Sequence, residues 1–110
     1  MAYDEQLAAR IRGLVSGEEG IQEKKMFGGL SFLLNGNMAV AASGQGGLLA
    51  RVDPAESDDL VATTPAEEMV MGGRSMKGWL RLDSTDVEGD ELKAWVERGL
   101  AFARSLPAKD

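Results

Sequence analysis

KKMFGGLSFLLNGNMAV, residues 24–40, holds the densest apolar run of the chain together with two lysines, a glycine pair and an Asn-Gly step. Asn35-Gly36 joins LSFLL to NMAVAA. Such a dipeptide between two strand-like runs predicts a two-residue hairpin, because both residues tolerate the positive φ of a type I′ turn. Gly28 and Gly29 interrupt the segment that opens at Ile21, which predicts a bulge or sharp bend at that point. Residues 24–42 are therefore expected to form a bent antiparallel hairpin. Met26, Phe27, Gly28, Gly29, Asn35 and Gly36 then serve the fold rather than a site.

Upstream, Asp4 and Glu5 stand where a helix N-terminus favours acids, and Leu7, Ile11, Leu14 and Val15 recur at helical spacing. Ser16, Gly17 and Gly20 end that helix. Downstream, SGQGG leads into LLARV, which continues the antiparallel meander. Asp53-Pro54 reads as an N-cap and first helical residue of a short helix running to about Ala62, with Pro65 as its stop. Met69 to Met71 and GWLRLD are strand candidates on either side of a turn, GGRSMKG. Leu92, Trp95, Val96, Gly99, Phe102, Ala103 and Leu106 form a stripe of helical period, closed by Pro107.

Consecutive strands joined by tight turns make an antiparallel sheet, and two amphipathic helices need an apolar face to cover. The expectation is an α+β fold: a meander of about four to five strands, packed by the N- and C-terminal helices plus one short helix. A chain of 110 residues is of single-domain size. Residues 1–105 are expected to form that domain and 106–110 a flexible tail.

Composition removes whole classes of chemistry. The chain has no cysteine and no histidine. Disulfides, thiolate or imidazole metal sites, cysteine nucleophiles and serine-histidine triads are thereby excluded. Its formal charge of −6 repels nucleic-acid phosphates, so specific binding to duplex DNA is not expected. No apolar run approaches the ~18 residues of a membrane span, and the start MAYDEQLAARIRG carries acids where a leader needs bases. A cytoplasmic protein without membrane contact is the reading.

KKMFGGLSFLLNGNM, the later GRSMKGW before a strand, and the closing LKAWVERGLAFARSLP together resemble the TfoX N-terminal domain family, also called TfoX/Sxy. The resemblance covers nearly the whole chain and rests on the order and separation of the MFGG and GRxM(K/R)G elements. It implies a bacterial α+β domain, found alone or fused to a helical domain in regulators of natural competence, with no established enzymatic activity. Here the chain stops after SLPAKD, so the expectation is a stand-alone, single-domain member.

Arg74, Lys77 and Trp79 form the strongest candidate site, because two cations beside an aromatic on a glycine-flanked turn can hold a carboxylate or phosphate. Lys25 and Arg51 are expected to join them from neighbouring strands. The competing reading ties Arg74 to the acids between Asp53 and Glu68 and sends Trp79 into the core. Asp58 and Asp59 are adjacent and on a helix point about 100 degrees apart, so they do not make a carboxylate dyad. No catalytic residue, metal or cofactor is assigned. The expected function is a non-enzymatic regulatory or protein-interaction domain with an unknown protein partner, homodimers included. A small-anion site at GRSMKGW is the alternative, and an uncharacterised enzyme the remote one.

Overall fold

The computed structural model describes residues 3–26, 28–71 and 73–108. In chain order the elements are α1 (Glu5–Val15), β1 (Ile21–Met26), β2 (Gly29–Leu34), β3 (Asn37–Ala42), β4 (Leu48–Arg51), α2 (Pro54–Thr63), β5 (Glu67–Met71), β6 (Arg74–Leu82), a 3₁₀ turn (Ser84–Asp86) and α3 (Asp90–Ser105). The six strands form one antiparallel sheet in the order β1-β2-β3-β4-β6-β5. The fold is α+β, with six strands where the sequence suggested four or five. The meander holds from β1 to β4. After it α2 packs across β6, so that β5 becomes the outer edge and β6 the neighbour of β4.

The opening segment holds two hairpins rather than one. Asn35 and Gly36 both take positive φ, 53° and 83°, as the two-residue turn between β2 and β3 requires. The glycine pair, expected to bend a single strand, instead divides β1 from β2. Met26 pairs with Gly29 across a turn that contains Gly28, and Phe27 lies outside the described residues. The register irregularity falls later, between Phe32 and Leu33.

Pleating then sorts the strands into two faces. Glu23, Phe32, Val40, Ala50, Leu80 and Glu68 stand in one row across the six strands, and Lys25, Leu30, Ala42, Leu48 and Leu82 in the next row on the same face. The apolar members of these rows are buried in a single cluster with Leu7, Ala8, Ile11 and Val15 of α1 and Leu92, Trp95, Val96, Leu100 and Ala103 of α3. Alternate residues, among them Lys24, Ser31, Ala41, Leu49, Arg81 and Glu67, line the opposite face.

Aspartate side chains start α1 and α2, whereas α3 follows Gly89 with no side-chain cap. The Asp4 carboxylate accepts from the amides of Gln6 and Leu7 at 3.0 and 3.1 Å, and that of Asp53 from Ala55 at 2.9 Å. Leu14, counted in the apolar stripe of α1, faces solvent, and Ala8 takes the core position. On α3 the stripe is displaced in the same way. Leu100 is buried while Phe102 and Leu106 are only half-buried. At Gly99 α3 comes close to the sheet, since a Cβ there would collide with the Ala39 carbonyl oxygen. Past the helix, the buried Asn37 amide donates to the Pro107 carbonyl at 2.8 Å.

Candidate functional site

GRSMKGW was expected to be a turn; it is strand. Arg74 through Leu82 form β6, and the turn to which Gly73 belongs lies before it. Within β6 the pairing with β5 shifts register between Glu68 and Met69, opposite the stretch from Met76 to Leu80. Gly78 sits in that irregularity at φ 85°, where its carbonyl accepts from the Val52 amide at 2.7 Å. A side chain there would meet the Val52 carbonyl and Pro54. Glycine thus lets β6 bulge against the end of β4, a device that re-aims the next side chain. That side chain is Trp79.

Trp79 lies opposite Arg51 of β4. The Arg51 guanidinium stands over the Trp79 ring, 5.0 Å from its centroid, and over the Phe102 ring of α3 at 5.3 Å. All three residues are half-buried. A guanidinium between two aromatic faces is held by cation–π attraction while the edge of its plane keeps its N–H donors. Among the described residues Arg51 belongs to no ion pair. Such an arrangement can receive a planar carboxylate or a phosphate edge-on, with aromatic surface around the contact.

The other predicted site residues separate. Arg74, at the start of β6, is exposed and also belongs to no ion pair among the described residues. Lys77 is the residue tied to the acidic segment, the role foreseen for Arg74. Its ammonium lies 2.9 Å from an Asp58 carboxylate oxygen, and that hydrogen bond raises the lysine's pKa above its ordinary value. The pair is exposed, so it holds α2 against β6 only weakly. Lys25 is on β1, with β2, β3 and β4 between it and β6, and does not join. Met26 ends the same edge strand, half-buried.

Phe102 is the member that sequence reasoning sent into the core. Its signal was present in the period of α3. Position 102 lies at the border of the stripe defined by Trp95, Val96, Gly99 and Ala103, where a side chain leans on neighbouring surface instead of entering the interior.

A separate shallow depression is lined by Gly17, Glu18, Glu19, Gly20, Leu34, Asn35 and Arg104. Glu18 and Arg104 already pair in it at 3.0 Å, and none of the Arg51 cluster belongs to it. Among the described residues no group of three or more acids converges as a metal ion would require, and no helix is long and apolar enough to cross a membrane.

The family model described as the TfoX N-terminal domain matches residues 13–103. That span runs from the last turn of α1 to the last turn of α3 and includes every member of the Arg51 cluster. No match was found among curated proteins or among solved structures.

Proposed function

Because the chain belongs to the TfoX N-terminal domain family, we propose that it is a non-enzymatic protein-interaction module that captures a carboxylate-bearing segment of a protein partner at Arg51, Trp79 and Phe102. The observation that carries this reading is the half-buried Arg51 guanidinium held against two aromatic rings with no carboxylate partner among the described residues. Tryptophan and arginine are the residue types that most often dominate protein interfaces, because each offers a large contact area together with directed donors. On this reading the module is regulatory and works in the cytoplasm. With a formal charge of −6 it acts through protein rather than by gripping DNA.

The test is co-purification of the tagged protein from its native host beside Arg51→Ala and Trp79→Ala variants of checked thermal stability. A partner recovered with the unmodified chain and lost from both variants supports the reading. Its retention by both variants sinks it. The second reading, a small-anion site at the same residues, is separated by titrating inorganic phosphate or acetate and following the Trp79 indole resonance. Saturable shifts that Arg51→Ala abolishes, with no protein partner lost, favour the anion. A sequence-selective, salt-sensitive shift of duplex DNA at physiological ionic strength would count against both.

A further inference from the structure

The two edges of the sheet are unequally protected against pairing with another chain. Edge strands expose unpaired backbone N–H and C=O groups, and soluble proteins commonly guard them with charge, lysine above all. β1 follows this rule, with Gln22, Glu23, Lys24 and Lys25 exposed along its middle. β5 does not. Its acids, Glu67 and Glu68, are gathered at the start, and residues 69–73, MVMGG, carry no charge. Val70 is 62% exposed, more than Leu14 or Val61, the other large apolar residues at the surface of the described chain.

We propose that β5 is the interface of a symmetric dimer, in which the β5 edges of two copies of this chain pair antiparallel about Val70. A two-fold axis normal to the sheet pairs only residues of like face, so the register is limited to a few choices. Centred on Val70, it sets Val70 against Val70 and position 69 against position 71 of the partner. Glu67 then comes opposite position 73 of the partner, next to which Arg74 begins β6. Arg74 is exposed and belongs to no ion pair among the described residues, so each copy brings an acid to the other's unengaged cation. An apolar centre flanked by two equivalent ion pairs is self-complementary.

β1 offers no such register. Pairing about Lys24 opposes the two Lys24 side chains, and pairing about Glu23 opposes two glutamates that Arg12 already engages at 2.6 Å. This inference is independent of the Arg51 cluster and stands or falls without it.

Sedimentation equilibrium of the full chain across a concentration series tests it. The expected species is a dimer. Val70→Lys should raise its dissociation constant by about tenfold or more, since it puts the usual guarding residue on the edge. Because Val70 is exposed, the melting temperature of that variant at low concentration should hold. Glu67→Arg or Arg74→Glu alone should weaken the dimer, and the two together should restore it, an outcome that loss of folding cannot imitate. Lys24→Ala should leave it intact. A monomer at every concentration, an unmoved Val70→Lys, or no rescue by the charge reversal overturns the proposal. So does an open ladder of oligomers that Lys24→Ala abolishes, the mark of β1 joining β5 of the next copy through opposite charges.

Discussion

Over β2, β3 and β4, helices α1 and α3 seal Phe32, Val40, Ala42 and Leu48 against Ile11, Trp95 and Val96, all of them nearly inaccessible to solvent. Over β5 and β6, α2 buries only Ser57 completely and Leu60 in part. One side of the molecule is thus held by large apolar side chains. On the other, α2 itself adds only a hydroxyl, a leucine and the exposed Lys77–Asp58 pair to the buried leucines of β6. The difference separates labour within one sheet: the sealed side fixes the fold, and the lightly covered side keeps Trp79 and the β5 edge accessible, with Arg51 at the border between them. Local stability follows buried apolar contact, so the α2 side should open at lower cost than the rest.

The sharpest way to break this comparison is to truncate two aromatic residues of α3, one sealed in the core and one leaning toward the lighter side. Trp95→Ala should cost about 3–5 kcal/mol, a large share of a small domain's stability, because it empties a fully enclosed volume. Phe102→Ala, half-buried beside Arg51, should cost clearly less, about 1–2 kcal/mol. Urea denaturation of both variants decides it. Equal losses would mean that Phe102 belongs to the core, as the helical stripe suggested, and that the Arg51 cluster is a structural tie.

A turn substitution tests the sealed side without touching its core. Gly36 at φ 83° ends the hairpin that brings Phe32 and Val40 together. Gly36→Val should cost on the order of 1–3 kcal/mol, since a β-branched residue resists that backbone region. An unchanged midpoint in chemical denaturation would show that this turn does not set the register.

On the lighter side, Ser57 is wholly buried and donates to a Glu68 carboxylate oxygen at 3.2 Å. Ser57→Ala should lower stability by about 1 kcal/mol, the usual net worth of such a bond. It should also speed hydrogen exchange of amides in α2 and β5 more than of those in α3. Uniform acceleration across both sides would erase the distinction between them.

The same division explains what the sequence made legible. Periodicity and turn chemistry report local structure, so the Asn35-Gly36 hairpin, the Asp53-Pro54 helix start and the α3 stripe could all be read from neighbours in sequence. Pairing between distant strands leaves no such trace. Nothing local to RSMK distinguishes a turn from the start of β6, because that stretch becomes strand by pairing with Met69 to Met71. Lys25 and Arg51 looked equally eligible for the site. Their separation depends on sheet order: the meander puts β2 and β3 between them, and α2 leads to β5 at the outer edge so that β6 pairs back beside Arg51. Arg51 and Trp79 were legible as residue types suited to anions. Phe102 was not, because its role depends on which side of the stripe α3 turns toward β4.

The smallest effects lie in two exposed ion pairs, one on each side, and pH separates them. On the sealed side, Arg12 hydrogen-bonds Glu23 and holds its carboxyl below the usual carboxylate range. A pKa lowered by folding means that the contribution is present above the unfolded value and is lost as pH falls through the folded one. On the lighter side, Asp58 raises the Lys77 pKa. A pKa raised by folding means that the contribution is complete below the unfolded value and is lost as pH rises through the folded one. Glu23→Gln should therefore flatten a slight fall of melting temperature on the acid side and leave the alkaline limb unchanged. Lys77→Met should flatten a slight fall on the alkaline side, where Arg12 keeps its charge because its own pKa is raised further by Glu23. All of these side chains are at least about a third exposed, so both effects should shrink in high salt. A melting temperature that stayed dependent on alkaline pH in Lys77→Met would show that another group couples α2 to β6, and that the lighter side is better anchored than its buried contacts indicate.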